Sequence, residues 1–380
     1  MTRIHSFREE RPANARQFSK RGRESGRHGE QEPPPIYSPW LYIRYEDSVG
    51  TGRLLDGSVP TTKPFYLSPD IFFSPTDALG NPVAGTDVTV RARVFNGGLA
   101  PAVATFVEFY WFDPSFAIVA GNGNFIGSKL VTVPAGLSLD VTCPKVWTPT
   151  FVNGGHECLV VQCSCPGEGT SGLQFPFQAA IDRHIGQRNL NVSDSNSDMS
   201  MVIAAPNPFD FPIEFQLRLV TTLVNVHARQ IQDLDLSDIV LAVGQIAGGV
   251  ELPMFQFEVT DLSDRSLGLG IELLKTSPMK PAAKKHLLGE RFLSDRNVLA
   301  ADVRADAFGR MISQFRLGTM DAMQVGVKVP PIPLGDENFM VHRIMQMAGT
   351  VQLGAYTFIS APVALLDRLS RARSGRSKNR

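Results

Sequence analysis

From Asp87 to Phe95 the chain alternates, with Val88, Val90, Ala92 and Val94 on one parity and Thr89, Arg91, Arg93 and Phe95 on the other. A period of two predicts an extended strand with one face turned inward and one toward solvent. Val103 to Phe112 repeats the pattern, with Thr105, Val107, Phe109 and Trp111 on one face. Asp70–Phe73, Lys129–Val133, Leu137–Cys143 and Glu157–Gln162 fit further strands, with turn formers recurring roughly every dozen positions. Asn96-Gly97-Gly98 supplies residues tolerant of positive φ and reads as a strand-ending turn that β-branched residues could not make. In the second half, Pro212–Val220 resumes the alternation through Ile213, Phe215, Leu217 and Leu219. Met254–Thr260, Met323–Val329, Asn338–Ile344 and Thr350–Ile359 are the remaining candidate strands, and Lys280–Arg291 predicts a short helix.

Composition agrees with a β-rich chain. Charged residues make up 19% of the sequence, below the usual quarter, while 33 Gly and 27 Pro supply turns. A length of 380 residues fits two domains plus tails. We expect a disordered arm at 1–35, ending in Pro33-Pro34-Pro35, and a connector at 36–66 lying along a domain surface. A first sandwich at 67–192 follows, then the polar run Ser193–Ser200, a second β-rich domain at 201–362 and a basic tail at 363–380. Net charge is zero but unevenly placed. Residues 1–35 hold eight basic and five acidic groups, or +3, and residues 367–380 hold six and one, or +5. The body therefore carries −8. Basic ends on an acidic body suit contacts with neighbouring copies or, less readily, with nucleic acid.

One stretch has the ordered pieces of a known family. They are Ser68-Pro69-Asp70-Ile71-Phe72, then Val88 to Asn96-Gly97-Gly98 with Ala100-Pro101-Ala102, and the run Val131 to Gly136. Val146-Trp147-Thr148-Pro149, His156 to Val161 and Asp182 to Asn189 complete the set. Residues 70–192 thereby resemble the CARDB-type immunoglobulin-like domains of bacterial surface and secreted proteins. The run Gly335–Val341 with Gly349–Phe358 is similar to a second, looser immunoglobulin-like sandwich. The resemblance implies tandem immunoglobulin-like β-sandwiches with disordered basic tails, a bacterial origin, and a role in scaffolding, spacing or adhesion. Read physically, Trp147 is a candidate plug for the core between sheets, and Cys158–Val161 is apolar enough for a central strand.

Candidate chemistry is sparse. His156, Cys158, Cys163 and Cys165, with Cys143 nearby, offer soft ligands for zinc. Strand parity opposes this, because Cys158 and Cys163 are five residues apart and face opposite sides of an unbroken strand. Free thiols are one alternative; the other is a disulfide from Cys143, should 138–148 and 157–166 pair as a hairpin. Asp194-Ser195-Asn196-Ser197-Asp198 resembles the start of a calcium loop but lacks its glycine and closing glutamate. Asn191-Val192-Ser193 matches a short glycosylation sequon, and Gly121–Gly127 reads as a turn rather than a nucleotide loop. Neither G-x-S-x-G nor H-E-x-x-H occurs, and the seven histidines are scattered.

The expectation is a non-catalytic structural or interaction protein without a cofactor, a subunit in a homo-oligomer or larger assembly. Arg368, Arg371, Arg373, Arg376, Lys378 and Arg380 would form its partner-binding tail. An adhesion module binding a glycan or a protein is the other reading, with Trp40, Phe95 and Tyr110 as a stacking platform. No leader-like or membrane-spanning apolar stretch is visible, so a soluble chain is expected, cytoplasmic or exported without a cleavable leader.

Overall fold

The computed structural model describes residues 37–47, 59, 63–116, 118, 123–150, 157–168, 179–194, 196–197, 199–207, 209, 211–226, 236–252, 257–262, 272–278, 309–319 and 321–374. The expected arm at 1–35 and the expected helix at Lys280–Arg291 lie outside them.

The alternating segments form strands as their pattern predicts, and the fold is all-β. In the first half β1 (Leu41–Tyr42), β2 (Ile71–Ser74) and β6 (Ser138–Thr142) all pair with β3 (Thr89–Asn96). β1 and β2 share one edge of β3 end to end, and β6 takes the other. The facing sheet runs β5-β4-β7-β8, from β4 (Ala102–Phe112), β5 (Asn124–Val133), β7 (Cys158–Ser164) and β8 (Ile185–Arg188). Val88, Val90, Ala92 and Val94 meet Val107, Phe109, Leu159 and Val161 between the sheets, and Trp147 is buried there. Burying these side chains is the main stabilising term, at about 1.5–3 kcal/mol for each large one.

The connector is part of this core rather than a surface strap. Trp40, Leu41, Ile43 and Tyr45 are buried, and the side chain of Asn96 holds the segment in place. Asn96 Oδ1 accepts from the backbone N–H of Trp40 and of Gly98, while Nδ2 donates to the carbonyls of Ala100 and Val133. The glycines after it serve a different purpose from the one expected. Neither Gly97 nor Gly98 has positive φ. A Cβ on Gly98 would instead lie 2.2 Å from the Ser38 carbonyl oxygen, so the residue must be small because the connector backbone presses on it.

In the second half β9 (Leu190–Asp194), β10 (Met199–Pro206) and β11 (Ile213–Asn225) precede helix α1 (Leu236–Ala247). β12 (Glu258–Asp261), β13 (Glu272–Pro278), β14 (Arg310–Leu317) and β15 (Ala322–Val329) follow. β16 (Asn338–Ala348), β17 (Val351–Ala361) and helix α2 (Val363–Ser374) close the chain. One sheet runs β12-β11-β16-β17-β9, with β14 also on β11, and a smaller one runs β10-β15-β13. α1 and α2 cover one face of the larger sheet, where Val240, Val243, Leu365 and Leu369 bury against Phe339, Val341 and Ile359. Residues 363–380, expected as a disordered basic tail, therefore begin with a helix whose leucine stripe is part of the core.

The two halves share one apolar core. Tyr110, Phe112, Cys158, Val160 and Ile185 on the outer face of the β5-β4-β7-β8 sheet share one core cluster with Met201, Ile203, Ala205, Val325 and Val327. β7 is thus buried on both faces, which explains the continuous apolar run Cys158–Val161. β9 straddles the expected boundary at 192 and pairs in parallel with β17. Only Asn189 separates it from β8, and this residue is fully buried, its N–H donating to the Tyr66 carbonyl at 2.8 Å.

Candidate functional site

The outer face of the β5-β4-β7-β8 sheet is the most informative surface. Pairing register sets its side chains in rows: Leu130, Phe106 and Ser164; then Ser128, Glu108, Gln162 and Ile185; then Phe125, Tyr110, Val160 and Gln187; then Phe112 and Cys158. The last two rows lie largely under the second half, and Glu108, Gln162 and Ile185 are buried as well. At the other end Phe106 is 40% and Leu130 61% exposed, directly opposite each other. Phe125 and Val103 extend the apolar exposure, and β5 pairs with β4 alone among the described strands. An exposed apolar row beside an unpaired strand edge is a surface suited to association.

The cysteines do not converge. β6 crosses to the sheet opposite β7, so the hairpin that would bring Cys143 against Cys163 is not formed, and all four thiols are free and buried. Cys163 and Cys165 face the sandwich core with Cys143, whereas Cys158 faces the second half. Burial pushes every one of these thiols up, Cys158 to about 12, so they are neutral and poor as ligands or nucleophiles. No group of three metal-ligating side chains occurs among the described residues. His156 lies outside the described residues.

The tail is also divided. Arg368 sits on α2 and turns back to Glu337, at 3.9 Å, and to the Asp336 carbonyl. Arg371 and Arg373 belong to the same helix, while Arg376, Lys378 and Arg380 lie outside the described residues. The expected stacking platform is not assembled. Trp40 and Tyr110 are buried, Arg183 lies over the Trp40 ring, and Phe95 stacks on Tyr42 beneath the Arg44 guanidinium. Of the calcium-loop-like run, Asp194 ends β9, and Ser195 and Asp198 lie outside the described residues, as do Gly121 and Asn122 of the expected turn, whose Asn124–Gly127 are instead the start of β5.

A cleft opens between the halves, lined by Phe73, Asn81, Trp147, Glu157, Leu159, Arg188 and Val192. The space open to a water's centre is about 20 Å³, room for one or two waters and too little for a sugar or a cofactor. Arg188, buried there, donates to the carbonyls of Ile71 and Ser237 and lies over the Phe73 ring. No described helix is long and apolar enough to cross a membrane.

Sequence reasoning did not single out Phe106 and Leu130. The signal was present, since strand parity puts Phe106, Tyr110 and Phe112 opposite the Val107–Phe109 face and makes both faces of β4 apolar.

No family model matches the chain, and no curated protein matches it. Solved structures that align with it do so weakly. The multicopper oxidase Fet3p, described as functioning in iron import, is 10% identical with a TM-score of 0.16 over 77% of this chain. The chain spans 60% of that protein's length. The C-terminal domain of the Streptococcus pyogenes antigen I/II-family protein AspA is 10% identical, covering 85% of this chain and 99% of its own, with a TM-score of 0.15. A mutant of the enterotoxigenic E. coli CFA/I adhesin CfaE is 7% identical, covering 88% and 97%, with a TM-score of 0.13. Likeness at this level has no bearing on what this chain does.

Proposed function

We propose that this protein is a non-catalytic structural subunit that associates with further copies of itself through the exposed end of the β4–β5 face. The observation that carries the reading is the Phe106–Leu130 row. It continues, along the same strands, the face whose other end is already buried under the chain's own second half. A second copy is the occupant that fits, because an unpaired antiparallel edge such as β5 can meet its own twofold mate and join two such rows into one patch. The resemblance of residues 70–192 to CARDB domains, which implies scaffolding or spacing, points the same way. Lys129 on the edge guards against indiscriminate strand addition, so specificity falls to the apolar row.

The test is the mass in solution by light scattering, at low and high salt, for the full chain and for the double variant Phe106→Ser, Leu130→Ser. Both side chains are exposed, so the variant keeps its fold. The expected result is a wild-type mass that is a multiple of 41.6 kDa, with a monomeric variant. A wild-type monomer under every condition overturns self-association, and glycan and partner screens then test adhesion instead.

A further inference from the structure

The interior of the second half contains an arginine with no counter-charge among the described residues. Arg343 on β16 is 7% exposed, its Nε and Nη1 have no hydrogen-bond partner, and no carboxylate among the described residues pairs with it. A guanidinium stays protonated in proteins, so the charge cannot be relieved by losing a proton. An unpaired buried charge is among the most costly features a core can hold.

The groups around it lack regular hydrogen bonds too. Thr357 on β17 sits directly opposite Arg343 in the β16–β17 pairing. Tyr66, at the end of the connector, sets its hydroxyl beside the side chains of Arg343, Thr357 and Gln352, near enough for each to act on it as a hydrogen-bonding neighbour. No hydrogen bond of normal distance and angle is formed by the Tyr66 hydroxyl, Thr357 Oγ1 or either amide atom of Gln352, and all three residues are at least nine-tenths buried. Only Tyr66 among these could supply a negative charge. Burial pushes its phenol up, against the pull of Arg343, so it stays neutral. The cluster thus offers N–H and O–H donors from three chain segments around one permanent positive charge.

We propose that Arg343, Tyr66, Gln352 and Thr357 form an internal binding site for a small inorganic anion of halide size. Such an ion neutralises the guanidinium and accepts the orphaned donors together. A neutral water could satisfy single donors but would leave the charge unmatched.

Bromide in place of chloride is the probe, with crystals of the full chain grown in sodium bromide and anomalous scattering recorded at the bromine edge. The expected result is an anomalous peak bounded by these four side chains, absent in Arg343→Met. In solution, replacing gluconate by bromide at constant ionic strength should raise the melting temperature saturably in the wild type and not in Arg343→Met. Should Arg343→Met fail to fold, Tyr66→Phe, which removes one donor, should shift the saturation to at least several-fold higher bromide. Bromide peaks confined to the exposed surface, or a melting temperature indifferent to bromide, overturn the proposal. Neither outcome depends on how copies of the chain associate.

Discussion

The imidazole of His184 is held between two carboxylates, with Nε2 at 2.9 Å from Glu168 Oε2 and Nδ1 at 2.7 Å from Asp182 Oδ1. Both ring nitrogens can donate only when the ring is protonated. Burial alone would depress its pKa, but the two carboxylates outweigh burial and raise it, against the nearby Arg183. Glu168 Oε1 in turn accepts from the Leu41 N–H and from Arg183, and Arg183 Nε donates to the Leu41 carbonyl. The cluster pins the connector to the β7–β8 corner, where the Cys163 thiol also contacts the His184 carbonyl.

Since the folded pKa lies above the unfolded value, this stabilisation is complete below about pH 6.5 and is lost as pH rises through the folded pKa. Denaturant midpoints measured from pH 6 to pH 9 should fall for the wild type and fall less for His184→Gln. Parallel curves for the two proteins would show that the cluster does not carry the effect.

His342 predicts the opposite limb. Burial lowers its pKa to about 4, and its Nδ1 lies 3.1 Å from Thr221 Oγ1 while Nε2 has no partner. The folded state therefore holds a neutral ring that the unfolded state protonates. Stability present above about pH 6.5 should drop between there and about pH 4, by on the order of 3 kcal/mol. His342→Leu should flatten this limb in acid titrations of unfolding. An unchanged acid midpoint would assign it to carboxylates instead.

The Arg44–Asp70 pair is the most consequential ion pair in the first half. Asp70 has no exposure, and Arg44 Nη2 reaches it at 2.7 Å while the Arg44 backbone N–H donates at 2.9 Å. Arg44→Met should cost about 3–5 kcal/mol, because it strands a buried carboxylate. The double variant Arg44→Met, Asp70→Leu should recover much of that loss in urea unfolding. A double variant as unstable as the sum of the two singles would argue against direct coupling.

Gly98 tests the connector's close approach. Gly98→Ala places a methyl group into the Ser38–Trp40 backbone and should cost about 1–3 kcal/mol. A loss below a few tenths of a kcal/mol would mean that the connector moves aside. Hydrogen exchange at Leu41, whose N–H donates to Glu168 Oε1, distinguishes the two.

Much of the first half was legible from its residues. The parity of Val88–Val94 and Val107–Phe109 is enforced by burial on one face, and Trp147 fills the core as its size suggests. The connector was not legible, because Tyr, Trp and Pro read as surface until Asn96 and Gly98 are seen to receive them. α1 was overlooked although Ile239, Val243 and Ala247 recur at helical spacing, since its apolar content is nearly continuous. The arginines after Asp367 masked the leucine stripe of α2. Contacts such as Phe106 with Leu130, or Tyr66 with Arg343, depend on pairings between distant segments, which local pattern does not encode. His184 and Glu168, sixteen positions apart, likewise meet in a way that no periodicity announces.

Asn189 is the whole length of chain between β8 in one sheet and β9 in the next. Two halves joined this way have no spare chain between their sheets. A pull on either end of the molecule is passed straight across the junction, loading the β9–β17 hydrogen bonds together instead of one at a time. Stretching the molecule would therefore strain this pairing before any spacer could lengthen.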